Sequence, residues 1–367
     1  MKRMSRRHFM AASAASAAMV GLGACGGTES AFEVVTSSRQ LNVLNWSDYL
    51  DPNLLSAFDS IQTDFSTTYS ETWEDNFSGQ DLFGPSWDIV TPTNWLAAQY
   101  IEEGRVQRLP IEFIPNHSRI NPVFLTNDWD RGARFHMPWQ SGITGIAYDM
   151  ELTGRELTSV NDLLADDLAG QVAMIGEMRE AVGLIMLANG DDPGRPETEE
   201  AERAFEQILA ANEAGQFHSW VFNEFTDLLA SRQVAASMAW SGDAIGLQLE
   251  QPDRDIRFVI PDEGAIQWFD TMVIPNGARN VRGAAEWMNH FYEVSTAAAN
   301  TQWGNFISPV LGVQDELRSR GGAAAELASN PILFPDGETQ RRLFIWGGLE
   351  STNAERDLDD RFAERLL

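Results

Sequence analysis

Lysine is almost missing from this chain. Lys2 is the only one in 367 residues, so apart from histidine every later basic side chain is arginine. Cysteine is as scarce: Cys25 stands alone, which excludes an internal disulfide, a cysteine-based metal site and a thiol nucleophile in the body that follows. The five histidines, His8, His117, His136, His218 and His290, are scattered and form no HExxH or paired spacing. No metal and no cofactor is therefore expected. There is no GxSxG elbow, no P-loop, no dinucleotide fingerprint after a strand, and no adjacent pair of tyrosines. Net positive charge is lacking too: the formal charge is -28, so phosphate backbones would be repelled and nucleic acid is excluded as a partner. The same excess of carboxylate leaves room for a cationic ligand, although most of it is expected on solvated surface. The apolar run from Ala11 to Ala24 is too short and too weakly hydrophobic to cross a bilayer.

That run has another reading. It follows Ser5-Arg6-Arg7-His8-Phe9-Met10 and ends in Leu22-Gly23-Ala24-Cys25, the order of a twin-arginine export signal followed by a lipoprotein box. Residues 1–24 are expected to be removed and Cys25 to carry lipid, giving a periplasmic or cell-surface protein anchored to a membrane. Residues 25–40, opening Gly26-Gly27-Thr28-Glu29-Ser30, read as a tether. About 340 residues remain, more than one core usually organises, so two lobes are expected.

The stretch Ala265-Ile266-Gln267-Trp268-Phe269-Asp270-Thr271-Met272-Val273-Ile274-Pro275 reads as a buried strand. Alternation places Ile266, Trp268 and Asp270 on one face and Gln267, Phe269 and Thr271 on the other. An indole and a carboxylate thus point at the same space, which suits an organic cation; the alternative is a core Trp followed by Asp at a strand end. Helical spacing of Ala201, Ala204, Phe205, Ile208 and Leu209, and of Ala284, Trp287, Met288 and Phe291, marks two packing helices without chemistry. Ala236-Ser237-Met238-Ala239-Trp240-Ser241-Gly242-Asp243 reads as a strand leading into a Gly turn and then a helix.

A family resemblance rests on motifs taken in order. Leu41-Asn42-Val43-Leu44-Asn45-Trp46 followed by Ser47-Asp48-Tyr49, then Asp88-Ile89-Val90-Thr91-Pro92-Thr93-Asn94-Trp95, then His136 to Tyr148, then Thr158 to Leu164 with Gly170 to Met174, resemble the periplasmic polyamine-binding proteins of ABC importers. The likeness runs from about Leu41 to the C-terminal helices. It implies an α/β fold of two lobes with mostly parallel sheets and hinge strands between them, the type II arrangement of periplasmic binding proteins. Lobe 1 would take residues 41–140 plus about 270–325, and lobe 2 residues 141–269 plus about 326–367.

The resemblance also implies a receptor that captures a spermidine- or putrescine-like polyamine between its lobes and delivers it to an ABC permease, without catalysis. Trp46, Tyr49, Trp240 and Trp268 match family aromatics, and Asp270 and Glu180 match its principal carboxylates. Glu177 stands where Asp is frequent, Trp95 and Phe306 where tyrosines are usual, and Trp346 or Gly347 where a Gln is usual; Asp243, after Trp240, completes the candidate set. A flexible polycation needs carboxylates at ammonium spacing and aromatic faces against its methylenes, which these residue types supply. Another organic amine, an amino-acid derivative or a short peptide is the competing ligand. A glycosidase-like enzyme using Glu177 and Glu180 is the remote alternative, disfavoured because one helical turn puts both on one face rather than on two sides of a bond.

Overall fold

The computed structural model describes residues 38–47, 49–61, 64–72 and 87–367. The proposed signal, Cys25 and most of the tether lie outside the described residues, as does Asp48. Among the described residues ten strands form one continuous sheet in the order β2-β1-β3-β9-β4-β7-β5-β6, with β10 pairing β9 and β8 pairing β4. The strands are β1 (Gln40–Trp46), β2 (Ser66–Thr72), β3 (Ile89–Val90), β4 (His136–Asp149), β5 (Val172–Ile175), β6 (Phe217–Val221), β7 (Ala236–Trp240), β8 (Ile256–Val259), β9 (Ala265–Val273) and β10 (Leu343–Phe344).

The parallel pairing expected of each lobe is found in its wing. β1 runs parallel to β2 and β3 at one end, and β5 parallel to β6 and β7 at the other. Parallel neighbours need crossover connections. Helix Pro52–Ile61 supplies one between β1 and β2, and helices Met178–Asn189 and Thr198–Glu213 supply the other between β5 and β6. The middle of the sheet is antiparallel: β4 pairs with β9, β7 and β8, and β9 with β3. These two middle strands are the ones that run from one wing to the other.

Their residues show the crossing directly. Met137 and Trp139 of β4, with Met272 of β9, belong to a core that also holds Leu41, Phe58, Trp287 and Leu317. Ile146 and Tyr148 of β4, with Ile266 of β9, belong to a second core built from Val172, Met174, Ile185, Phe205 and Phe362. All fourteen residues of β4 are buried, so the strand carries no polar-out alternation for a single-sided sheet to explain. Its ladder with β9 is irregular between Pro138 and Ser141, where proline lacks the N–H that a regular ladder would use. There Ser141 N–H turns instead to Ile307 O at 2.9 Å.

The packing helices lie where their periodicity places them. Helix Thr198–Glu213 buries Ala201, Ala204, Phe205, Ile208 and Leu209, and helix Val281–Phe291 buries Ala284, Trp287, Met288 and Phe291 among others. One local expectation changes: no separate Gly turn follows β7, because helix Ser241–Glu250 begins directly after Trp240 and Gly242 sits in its first turn.

Candidate functional site

The ends of the wing strands and the face of β9 enclose a cavity of about 680 Å³. That volume falls within the range of small-molecule sites. All ten candidate residues line it: Trp46, Tyr49, Trp95, Glu177, Glu180, Trp240, Asp243, Trp268, Asp270 and Phe306. Trp346 lines it as well, whereas Gly347 is exposed and gives its N–H to Pro193 O at 3.0 Å.

Each wing contributes from the carboxyl ends of its strands. Trp46 ends β1 and Tyr49 follows it in a loop held by Gln140, whose Nε2 donates to Tyr49 O at 2.9 Å while Asn300 Nδ2 donates to Gln140 Oε1 at 2.9 Å. Trp95 opens helix Asn94–Glu102 just after β3. Glu177 caps helix Met178–Asn189 after β5, and its carboxylate accepts from Arg179 N–H at 3.3 Å. Trp240 ends β7, and Trp268 and Asp270 share a face of β9 as alternation requires. The segment after β3 is tied to β9 beside Asp270, since Thr271 N–H and Oγ1 both donate to Pro92 O at 2.8 Å.

Two aromatic walls depend on glycine. A Cβ on Gly142 would collide with the Trp268 indole, and one on Gly242 would come within 2.7 Å of the Phe306 ring. With those positions bare, Phe306 packs 4.6 Å from the Tyr49 ring centroid and 6.1 Å from that of Trp268, the second contact edge-on. Edge-on packing is the arrangement aromatic quadrupoles favour.

Around Asp270 the electrostatics are unbalanced. The residue is 2 % exposed, and Tyr49 Oη donates to its Oδ2. The neighbouring Trp46 indole also favours the ionised form, yet Oδ1 has no donor in hydrogen-bonding geometry among the described residues. Burial dominates and pushes this carboxyl up to about 8. Glu180 is in a similar position: Thr144 Oγ1 and Trp240 Nε1 donate to its Oε2 at 2.6 and 2.7 Å, but burial and the charge of Glu177 outweigh them and push it to about 8. Burial and the adjacent Asp270 likewise raise the Tyr49 phenol well above its ordinary value. Asp243 accepts from Asn223 Nδ2 at 3.1 Å.

The cavity is also lined by a residue that sequence reasoning passed over. Arg179 is 3 % exposed and bonds Glu177 at 3.1 Å, Glu355 at 2.7 Å and Asp359 at 3.1 Å. Its guanidinium carbon lies 3.5 Å from the Trp95 ring centroid. Burial works against its charge, but Glu177, Asp359 and Glu355 outweigh that and hold its pKa above the ordinary arginine value. A weak signal was available: Glu355 and Asp359 are spaced i,i+4 and so share a helix face. Nothing in sequence joined that face to a position 176 residues earlier.

With this geometry in view, comparison with known proteins is informative. The family described as bacterial extracellular solute-binding protein matches residues 68–335. The chain is 25% identical over 349 residues to the spermidine/putrescine-binding periplasmic protein of Escherichia coli, covering 92% of each chain. It is 23% identical over 315 residues to spermidine/putrescine-binding periplasmic protein 1 of Haemophilus influenzae, covering 84% of each. Among solved structures, the spermidine/putrescine ABC transporter substrate-binding protein of Streptococcus pneumoniae superposes with a TM-score of 0.74 at 23% identity, over 89% of this chain and 99% of that one. The fold is thus the two-lobed one of periplasmic binding proteins.

Proposed function

The chain belongs to the bacterial extracellular solute-binding protein family, and on that premise we propose that it captures a polyamine of the spermidine/putrescine kind in its cleft and delivers it to an ABC import permease. The relatives bearing polyamine-binding names support the ligand class. One observation carries the reading: a buried carboxylate, Asp270, with an unpartnered oxygen, in a cavity walled by Trp268, Tyr49 and Phe306. A buried carboxylate is unfavourable until paired. An ammonium supplies the charge, and the indole and phenol faces cover the methylenes beside it. Glu180, next to Trp240, offers a second anion in the same cavity.

The lobe assignment follows as part of the same proposal, with residues 41–140 plus about 270–325 forming one jaw and 141–269 plus about 326–367 the other, the cleft closing about β4 and β9. Export by the twin-arginine route and a lipid on Cys25 rest on Arg6-Arg7 and on Leu22-Gly23-Ala24-Cys25. No catalysis is assigned, and the glycosidase alternative loses its pair because Glu177 is bound to Arg179.

A thermal-shift screen of amines, amino acids, peptides and sugars tests the reading. A ligand at about one hundred times its dissociation constant stabilises by about 2.7 kcal/mol. Stabilisation by polyamines is the expected result; stabilisation by sugars or anions alone would overturn it.

A further inference from the structure

The C-terminal helix Thr352–Leu366 carries three stripes of paired positions, the two members of each four residues apart and so on one face. Leu358 and Phe362 face the core built around Val172 and Phe205, where Phe362 meets the Trp220 ring edge-on at 5.3 Å. Glu355 and Asp359 hold Arg179 at 2.7 and 3.1 Å. Thr352 and Arg356 reach away from that core: Thr352 Oγ1 donates to Glu102 at 2.8 Å, and Arg356 bonds Glu103. Glu102 ends helix Asn94–Glu102 and Glu103 caps it, while Leu96 and Ala97 of the same helix pack with Leu44, Val90 and Val273.

Two carboxylates at a helix C-terminus oppose its dipole, and the last turn of this helix offers no basic residue to offset them. Arg105 bonds Glu103 at 2.7 Å, and Arg356 is a second cation that the C-terminal helix brings. Thr352 is the first residue of its own helix, so the positive end of one helix meets the negative end of the other. Helix Asn94–Glu102 is gripped at its start as well, because Trp95 lies 3.5 Å from the Arg179 guanidinium carbon. Its nine residues span about 13 Å, so the grip is a line rather than a point, and rotation about any axis other than that line displaces at least one end.

Resting on the lobe assignment given with the amine reading, we propose that the C-terminal helix is a clasp between the lobes. Its core face belongs to residues 141–269 and 326–367, and its Thr352 and Arg356 hold a helix of residues 41–140. Contacts made within the chain thus favour the closed cleft and add to amine affinity without touching the amine. The clasp is a light one, since the side chains of Arg356 and Glu103 are 47 % and 29 % exposed and their attraction is screened.

Calorimetry with spermidine and small-angle scattering, both on the full chain, test this. Arg356→Glu turns the attraction to Glu103 into repulsion, so spermidine affinity should fall by about two- to fivefold and the radius of gyration of the ligand-free protein should rise. Arg365→Glu makes the same charge change on the same helix, but Arg365 pairs with Glu213 within one lobe, so both readouts should stay at wild-type values. Adding Glu103→Arg to Arg356→Glu restores opposite charges and should recover at least about half of the lost affinity, a rescue that a merely structural role of Arg356 would not give. Wild-type affinity and radius in Arg356→Glu, equal changes in Arg365→Glu, or no rescue would each overturn the proposal. Should Arg356→Glu not fold, Arg356→Gln against Arg365→Gln makes the same comparison. Absence of binding by spermidine would refute the functional reading, while the scattering comparison would still decide the clasp.

Discussion

Two groups lining the cavity, the Arg179 cluster and Asp270, treat buried charge in opposite ways. Arg179 is surrounded by Glu177, Glu355 and Asp359 and stacked on Trp95, so its charge is matched within the chain. Asp270, by contrast, keeps an oxygen without a donor and is pushed up to about 8. A cluster satisfied within the chain is architecture, whereas a group left incomplete is prepared for something that arrives later. Residues of the same type, such as Glu177 and Glu180, fall on opposite sides of that distinction although they are one helical turn apart.

The difference is sharpest in stability. Arg179→Met leaves three buried or partly buried carboxylates without their common partner, and chemical denaturation should show a loss of about 3–5 kcal/mol, as for a broken buried ion pair. Above pH 8, where Asp270 ionises, Asp270→Asn should leave the ligand-free protein as stable or more so, because it deletes an unpaired buried charge. Equal losses in both variants would erase the contrast.

Binding should show the reverse order. Asp270→Asn keeps the side-chain shape and removes the charge, so amine affinity should fall by about 2–5 kcal/mol. Calorimetry finding wild-type affinity in a folded Asp270→Asn protein would remove that residue from the site.

A third prediction concerns pH. Folded Asp270 and Glu180 titrate at about 8, above their ordinary values of 3.8 and 4.5. The folded state therefore holds protons that the unfolded chain has released. Stability from these groups is complete below the unfolded values and is lost as pH rises from about 4 to about 8. Amine binding needs the ionised forms, so affinity should rise with pH up to about 8, by at most about tenfold per pH unit for each group. Titrations in buffers of different ionisation enthalpy should register proton release near pH 7; a flat profile between pH 6 and 8 would contradict the shifted carboxyls.

The smallest effect lies in the exposed contacts of the C-terminal helix. Thr352 Oγ1 donates to Glu102 at 2.8 Å and Arg356 bonds Glu103, both joining the C-terminal helix Thr352–Leu366 to the helix that carries Trp95. Arg356 is about half exposed, so Arg356→Gln should cost about 0.2–1 kcal/mol and less at high salt. A loss as large as that of Arg179→Met would place the exposed contacts, rather than the buried cluster, in charge of holding the C-terminal helix.

Much of this was legible in the chain itself. Period-two alternation put Trp268 and Asp270 on one face of a strand, helical spacing fixed the buried stripe of Thr198–Glu213, and the order of short motifs identified the architecture, because these signals depend on neighbours within a few residues. The single cysteine, Cys25, by itself excluded an internal disulfide and a thiol nucleophile in the body that follows. What tertiary structure alone decided was which charges are spent. Glu177 and Trp95 carry the same local credentials as Glu180 and Trp268, and only the docking of the C-terminal helix behind Arg179 separates them. The glycine seats at Gly142 and Gly242 were equally silent, since each is read against a ring that reaches it from a distant segment. Pairing across such distances is set by how helices and strands pack, and no local pattern in the sequence encodes it.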